Sequence, residues 1–189
     1  MAYLTEKQLA SLGLASFGKN VLISDKASIY NAKNISIGNN VRIDDFCVLS
    51  AGEGGVNIGN FIHIAVYTSL IGKGEITLED FSNLSSRVAI YSSNDDYSGE
   101  FMTNPMVPSE FTNVAHAPVK IGKHVIVGSG SVILPGVTLE EGVAVGALSL
   151  VTKSCSAFGI YTGNPAKRIK ERKKELLVLE QQLIDAMLD

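Results

Sequence analysis

The sequence predicts an all-β solenoid of six-residue units, with a short N-terminal helix, one long inserted loop and a C-terminal α-helix. Three observations support this fold class. Large aliphatic residues recur at steps of six, a small or β-branched residue follows most of them four positions later, and turn formers lie between. A unit of six residues is too short for a helical repeat and suits one short strand with a tight turn. Three units would close one triangular coil, and coils of a fixed short period stack.

Two periodic sets of residues define the inside of the predicted prism. The large aliphatic set is Ile23, Ile29, Ile37, Ile43, Leu49, Ile58, Ile64, Leu70, Leu78, Leu84, Ile90, Ile121, Val127, Ile133, Leu139, Val145 and Val151. The set four positions later is Ala27, Val41, Cys47, Ile62, Thr68, Ser82, Val88, Val125, Ser131, Val137, Val143, Ser149 and Cys155. Because strand side chains alternate between faces, both sets should point inward. Stacking pairs each strand with the coils above and below, so unpaired edges remain only at the two ends.

Longer steps in the repeat also recur with a period. They run from Ile29 to Ile37, Leu49 to Ile58, Leu70 to Leu78 and Ile90 to Ile121. Each falls at every third unit, and therefore at the same corner of the prism. The last step is 31 residues long and predicts a loop insertion at about residues 93–118. A loop of this length inside a compact repeat is more often functional than accidental.

The two ends of the chain differ from the repeat. Thr5 to Gln8 is typical of a capping box that begins a short helix, with Gly13 near its end. We expect a β-helix domain over residues 1–165 and a C-terminal helix over residues 166–189. The helix must bury an apolar stripe against the prism or a neighbouring subunit. The stripe, at spacings of three and four, is Leu176, Leu179, Leu183 and Met187.

Composition and cysteine content exclude several classes of protein. The net charge of −3 gives no overall nucleic-acid footprint. No stretch is long and apolar enough for a membrane span, and residues 1–14 lack the pattern of a secretory signal. Cys47 and Cys155 occupy inward positions, which favours core packing over a disulfide, a metal site or a nucleophile. These absences together predict a cytoplasmic protein.

The repeat resembles the hexapeptide acyltransferases in three segments. The run from Pro118 to Val137 carries their aliphatic-Gly-x-x-small-x pattern, and Val145-Gly146-Ala147 with Gly163-Asn164-Pro165-Ala166-Lys167 resembles their acetyl-CoA end. The resemblance covers about residues 17–170 and is nearest to the galactoside, maltose and cell-envelope sugar acetyltransferases. It implies a left-handed parallel β-helix, a homotrimer with active sites between subunits, and acetyl-CoA in a groove between two prisms.

The same resemblance implies a set of donor-binding residues. Ser129 would lie near the thioester, and Gly128 would let the ligand approach the backbone because glycine has no Cβ. Gly146, Thr152 and Lys153 would line the pantetheine path. The candidates at the nucleotide end are Asn164, Pro165, Lys167 and Arg168. The alternatives are that the glycines only form turns and that the basic stretch, residues 167–174, is a solvated helix face.

The catalytic base is where this chain departs from its relatives. In the galactoside and maltose enzymes a histidine follows the last unit before the loop, and that place falls on Asp95 here. Asp95 or Asp96 could be the base, because adjacent carboxylates and burial under a loop would raise a pKa. His116 could instead return to the site as the loop folds. A third explanation is that a partly neutral amine acceptor needs no strong base.

Three further residues are candidates for acceptor binding: His63, Tyr67 and Asn94. By resemblance, Tyr67 occupies a place that contacts the acceptor in the galactoside enzymes. His63 points outward opposite Asn83 and could face a neighbouring subunit's site, or be a plain surface histidine. The loop segment Phe101–Phe111 is apolar, and we expect it to help wall the acceptor pocket.

The function we predict is an acetyl-CoA-dependent acetyltransferase for a sugar of cell-envelope polysaccharide biosynthesis. The missing histidine favours N-acetylation of a nucleotide-linked amino sugar of the dTDP-amino-deoxyhexose type, and O-acetylation of a sugar hydroxyl is the alternative. A zinc enzyme of the γ-carbonic anhydrase type would need His63, His116 and His124 to converge, but the last two are not one unit apart. A noncatalytic assembly module is a further reading. We expect no metal, nucleic acid or membrane span.

Overall fold

The computed structural model describes residues 2–188 as a parallel β-solenoid of about seven turns, with the architecture of a left-handed β-helix. Face 1 contains β1 (Ser16–Phe17), β4 (Ile35–Ile37), β7 (Val56–Ile58), β10 (Ile76–Leu78), β15 (Val119–Ile121) and β18 (Thr138–Leu139). Face 2 contains β2 (Val21–Ile23), β5 (Val41–Ile43), β8 (Ile62–Ile64), β11 (Asn83–Leu84), β16 (Ile126–Val127), β19 (Ala144–Val145), β21 (Gly159–Thr162) and β22 (Lys167–Glu171). Face 3 contains β3 (Ser28–Tyr30), β6 (Val48–Ala51), β9 (Ser69–Gly72), β12 (Ala89–Tyr91), β17 (Val132–Ile133) and β20 (Leu150–Val151).

The remaining elements lie outside the three faces. They are α1 (Glu6–Ser11), α2 (Leu176–Leu188), β13 (Ser93–Asn94), β14 (Ala115–His116) and 3₁₀ turns at Ala32–Asn34 and Ser109–Phe111. Thr5 caps α1 through the predicted capping box with Gln8. The chain passes faces 1, 2 and 3 in order, so we name the corners 1–2, 2–3 and 3–1. Within residues 2–188, no helix combines the length and apolar character that crossing a membrane requires.

The prism interior is filled as the repeat predicts. Apart from Ile29, which is partly buried, the large aliphatic positions from coil to coil are almost completely buried, as Ile64, Leu84 and Ile133 show with 0% exposure. Two small polar residues of the second set bond to the backbone, whereas no partner is found for the buried Ser82 hydroxyl within residues 2–188: Ser131 and Ser149 donate to the carbonyl of Gly146 at 3.0 and 2.7 Å. Ser131 and Ser149 therefore occupy the tight inner corners with their hydroxyl groups satisfied.

Both cysteines lie in this interior as free thiols. Burial raises the pKa of Cys47 to about 11, and that of Cys155 to about 11. Since the thiolate is the reactive form, only about one thiol in a thousand would be ionised at pH 8. We expect neither cysteine to react with a thiol reagent in the folded protein, and both to react after unfolding. Fast labelling of the native protein would contradict the buried placement.

The 2–3 corner is built by a column of residues in the left-handed backbone region. One such residue per coil stands there with φ between 58 and 71°: Phe46, Tyr67, Arg87, Gly130 and Leu148. Their N–H groups, from Tyr67 onward, donate to a backbone carbonyl of the preceding coil at 2.9–3.1 Å. The corner is therefore a continuous hydrogen-bonded edge that runs along the stack.

Every longer step of the repeat lies at the 3–1 corner, as predicted. The long loop leaves after β12 and returns to β15, and its base is closed by the antiparallel pair β13–β14. The coils on either side pair directly, with Ile76 opposite Val119 and Leu78 opposite Ile121. The insertion therefore interrupts the sequence without interrupting the ladder of face 1.

The C-terminus differs from the prediction of one helix over residues 166–189. Residues Lys167–Glu171 form β22, which pairs antiparallel with β21, and α2 begins only at Leu176. The physical reason is that β21 ends the stack, so its outer edge needs a hydrogen-bonding partner. The basic stretch is therefore a strand followed by a short connection. The interpretation of this stretch as a helix face is wrong.

Helix α2 docks on the prism mainly through a charged contact. Glu180 accepts hydrogen bonds from Lys123 and from Nε2 of His124, the latter at 2.8 Å, and the His124 ring stacks on Phe81 at 5.0 Å. Much of the predicted apolar stripe stays exposed in one chain, as the 62% exposure of Leu179 shows. The single chain therefore does not bury the stripe.

Replacing Glu180 with glutamine should loosen α2. Burial disfavours the Glu180 carboxylate, but the hydrogen bonds from Lys123 and His124 outweigh this and lower its pKa. A lowered pKa means that the contact stabilises α2 above the ordinary carboxylate pKa and is lost as the pH falls through the lowered value. We expect faster amide exchange over residues 176–188 in Glu180→Gln at pH 7. Asp185→Asn is the control, and equal exchange in both variants would contradict this.

Candidate active site

Asp95 lies at the base of the long loop, directly after β13 at the 3–1 corner. Its side chain is exposed, and across residues 2–188 neither a hydrogen bond nor an ion pair to it is found. A carboxylate of this kind is free to accept a proton or to hold an amine. The place where related enzymes carry a histidine therefore presents an unpartnered acid.

Asp96 has a different environment although it is adjacent in sequence. Its Oδ1 accepts hydrogen bonds from the Ser98 backbone N–H at 2.7 Å and from Ser98 Oγ at 2.6 Å, and Asn113 donates to Oδ2 at 3.4 Å. The hydrogen bonds from Ser98 lower the pKa of Asp96. The expectation that the paired acids raise a pKa is therefore wrong for Asp96, which shapes the loop instead.

His116 returns to the base of the loop, as the second explanation requires. It pairs with Ser93 across β13–β14, and its Nδ1 lies 2.7 Å from Ser93 Oγ. Ser93 Oγ also accepts the backbone N–H of Lys73 at 2.7 Å, so its own proton is free to point at Nδ1. This network favours the tautomer with hydrogen on Nε2. In that form the exposed His116 presents a hydrogen-bond donor to solvent. The acceptor candidate Asn94 lies in β13 and is half-buried.

His63 lies on face 2, opposite Asn83 as predicted, and is held by a buried acid. Its Nε2 is 2.8 Å from Oδ2 of Asp44, whose other oxygen accepts from Arg42 Nε at 2.7 Å. Within one chain, face 2 does not border the 3–1 corner. The structure therefore does not bring His63 to the loop residues.

Tyr67 is part of the 2–3 column and stacks in a ladder of side chains. Its ring lies 5.0 Å from that of Phe46, Lys26 lies over Phe46 at 5.6 Å, and Arg87 lies over Tyr67 at 5.7 Å. Tyr67 remains 52% exposed. The ladder presents an aromatic and cationic edge, and sequence reasoning missed Arg87 within it. The only sequence signal for Arg87 was its position at a corner one coil before the run from Pro118 to Val137.

The donor candidates gather mainly at the 2–3 corner of the last three coils. Ser129 precedes Gly130 in the column, Gly146 begins the same corner one coil later, and the Asn164–Pro165 turn follows β21 above it. The turn is fixed by the Leu150 N–H, which donates to the carbonyl of Gly163 at 3.0 Å. With Gly128, which precedes Ser129, five of the proposed residues thus share one edge.

The other donor candidates lie elsewhere. Thr152 and Lys153 are exposed after β20, at the 3–1 corner, with face 3 between them and the first group. Lys167 and Arg168 are exposed on β22, and Arg168 already pairs with Glu171 at 2.5 Å. Exposed Lys167 fits a phosphate of coenzyme A, whereas Arg168 would have to leave its carboxylate first.

Gly128 and Gly146 leave room for the stacking of coils. A methyl group on Gly128 would lie 2.5 Å from the backbone nitrogen of Ala147, and one on Gly146 would lie 2.8 Å from Thr162 Oγ1. The space beside each glycine is filled by the next coil. The reading that Gly128 is there for close approach of a ligand is therefore not needed to explain the residue.

The three histidines do not converge within one chain. His63 bonds to Asp44 on face 2, His124 bonds to Glu180 at the 1–2 corner, and His116 lies in the loop. Two of them thus already have carboxylate partners. The arrangement gives no support to the zinc-enzyme alternative.

Comparison with known proteins agrees with the fold. The family model "Bacterial transferase hexapeptide (six repeats)" matches residues 118–153. The chain is 63% identical over 180 residues to dTDP-4-amino-4,6-dideoxy-D-glucose acyltransferase from Escherichia coli, covering 95% of this chain and 94% of that protein. It is also similar to AntD, an N-acyltransferase from Bacillus cereus whose structure holds dTDP and 3-hydroxybutyryl-CoA. The match has a TM-score of 0.94, 47% identity, and coverage of 99% and 98%.

Two further AntD structures with bound ligands are also similar to this chain. One, with a serine replaced by cysteine, holds dTDP-4-amino-4,6-dideoxyglucose and coenzyme A; it matches with a TM-score of 0.92, 47% identity, and coverage of 97% of each chain. Another, with an aspartate replaced by asparagine, holds dTDP and coenzyme A; it matches with a TM-score of 0.94, 47% identity, and coverage of 98% and 100%. The solenoid, its loop and these matches over nearly the whole chain lead to one conclusion: the chain belongs to the hexapeptide-repeat acyltransferases.

Proposed function

We propose that the protein transfers an acyl group, acetyl in the first instance, from coenzyme A to the amino group of a dTDP-4-amino-4,6-dideoxyhexose. The observation that carries this proposal is the 63% identity, over 95% of the chain, to an acyltransferase named for that sugar. The unpartnered carboxylate of Asp95 in place of a histidine supports an amine acceptor, because an acid can hold and orient an ammonium group. The product would serve cell-envelope polysaccharide assembly.

The chemistry assigns a role to each part of the site. The neutral amine attacks the thioester carbon, a C–N bond forms and the C–S bond breaks. The bound ammonium first gives one proton to solvent; as the resulting amine attacks, Asp95 accepts a second proton and passes it to the departing thiolate. His116, with hydrogen on Nε2, donates a hydrogen bond to the acceptor and does not serve as the base. Backbone N–H groups near Ser129 would stabilise the oxyanion.

A homotrimer is part of this proposal. Ser129 and Asn164 lie at the 2–3 corner, whereas Asp95 and Lys153 lie at the 3–1 corner of the same chain, with face 3 between. A neighbouring chain that sets its 3–1 corner against this 2–3 corner would complete the site. The exposed apolar residues of the segment Phe101–Phe111, in the loop at the 3–1 corner, supply surface for such contacts. We also place the protein in the cytoplasm, where its two free thiols stay reduced.

The test is coenzyme A release with acetyl-CoA and two matched acceptors. We expect turnover with dTDP-4-amino-4,6-dideoxyglucose and none with dTDP-6-deoxyglucose, which carries a hydroxyl at the reacting carbon. Turnover with the hydroxyl compound alone would replace this function with O-acetylation. Light scattering should give three times the chain mass of 20.1 kDa, and a monomer with full activity would contradict the shared site.

A further inference from the structure

Arg87 differs from the other arginines in its surroundings. Arg42, Arg168 and Arg172 each donate to a carboxylate or to backbone carbonyls. In the described part of the chain, residues 2–188, no anionic or carbonyl partner is found for the exposed Arg87 guanidinium, whose contact is the ring of Tyr67 at 5.7 Å. An exposed guanidinium with its donors free is suited to binding the oxygens of a phosphate.

The side chains below Arg87 hold it in place. Arg87 covers one face of Tyr67, Tyr67 stacks on Phe46 with an interplanar angle of 16°, and Lys26 covers the far face of Phe46. Because the ring faces are occupied within the ladder, the exposed parts of both rings are their edges and the Tyr67 hydroxyl. The edge therefore offers apolar contact, one hydrogen-bonding group and the Arg87 cation at one end, since Lys26 at the other end pairs with Asp45 at 3.3 Å.

The position of Arg87 along the 2–3 corner relates it to the donor candidates. In the column, the Gly130 N–H donates to the carbonyl of Ser86 at 3.0 Å, so the coil of Arg87 lies directly below that of Ser129. The donor candidates at this corner occupy the coils above. The ladder occupies the same corner in the coils below, as a second and separate stretch of one edge.

We infer that Arg87 is the phosphate anchor of the acceptor: its guanidinium binds the pyrophosphate of the nucleotide-linked sugar, and the edges of Phe46 and Tyr67 flank the nucleoside. The inference rests on the proposed function and adds where the acceptor's nucleotide lies. The two substrates would then approach from opposite ends of one edge. The amine and the thioester would meet at the junction between Arg87 and Ser129.

Calorimetry with dTDP and with coenzyme A tests this assignment. We expect Arg87→Met to weaken dTDP binding by about tenfold or more and to leave coenzyme A binding unchanged. Arg87→Lys should retain part of the affinity, because lysine keeps the charge but not the fork of donors. Lys19→Met, which removes an exposed charge at the 1–2 corner, away from both corners of the proposed site, is the matched control and should change neither affinity.

Salt dependence gives a readout that a loss of structure would not produce. Affinity of the wild type for dTDP should fall with added salt, and Arg87→Met should show a shallower dependence. Unchanged dTDP binding in Arg87→Met would overturn the inference, and so would a loss confined to coenzyme A, which would assign Arg87 to the donor. A wild-type protein that neither binds dTDP nor acylates the amino sugar would instead contradict the proposed function, and this inference with it.

Discussion

Asp95→Asn should lower the rate of acyl transfer to the amino sugar by about 10² to 10⁴-fold, the usual contribution of a positioned acid or base. Asparagine keeps the size of the side chain but removes the charge that holds the ammonium and accepts its proton. Asp95 is exposed and makes no side-chain bond within residues 2–188, so the melting temperature should not change. Steady-state kinetics with saturating donor would measure the effect on kcat.

Two companion variants distinguish the role of Asp95 from the roles of Asp96 and His116. Asp96→Asn should affect turnover less, because Asp96 is committed to the Ser98 turn. His116→Ala should raise the KM of the acceptor more than it lowers kcat if His116 only donates a hydrogen bond. A greater loss of kcat in His116→Ala than in Asp95→Asn would make His116 the base and refute our assignment.

Gly128→Ala should destabilise the fold as well as any donor site. The added methyl group would meet Ala147 backbone nitrogen at 2.5 Å and Gly146 carbonyl carbon at 2.8 Å, so two coils must separate. Overpacking of this kind costs about 1–3 kcal/mol. For a chain of this length, each kcal/mol lowers the melting temperature by about 2–4 °C. Thermal unfolding followed by circular dichroism would measure the loss.

The neighbouring residue supplies the control for stability. Ser129 is exposed and its backbone carbonyl, not its side chain, bonds to the next coil. Ser129→Ala should therefore melt with the wild type even if it weakens catalysis. An unchanged melting temperature for Gly128→Ala would restore the reading that this glycine exists for the ligand.

Much of the fold could be predicted because burial repeats with the sequence. Ile64, Leu84 and Cys47 occupy inward positions that the six-residue period defines, and face alternation decides their direction. The strand at Lys167–Glu171 could not be predicted in this way. It forms because β21 has an open edge, which is a property of the finished stack and is not visible in local sequence.

The candidate site was predictable in type and less so in detail. The departure at Asp95 was visible because the family pattern fixes that place, and the loop's return of His116 followed from its length. The binding of Asp96 to Ser98 depends on one local turn, and the isolation of Arg87 depends on which carboxylates happen to lie near it. Such pairings between side chains carry no period, so the repeat could not reveal them.

The uninterrupted pairing of β10 with β15 beneath the long loop makes this enzyme separable into two parts. Since Ile76 meets Val119 directly, the coils hold together whatever chain is inserted between residues 92 and 118. Exchanging that segment between relatives should graft one acceptor preference onto another prism while donor recognition stays the same. A family built in this way can diversify its sugars through one corner and keep a single scaffold for the thioester.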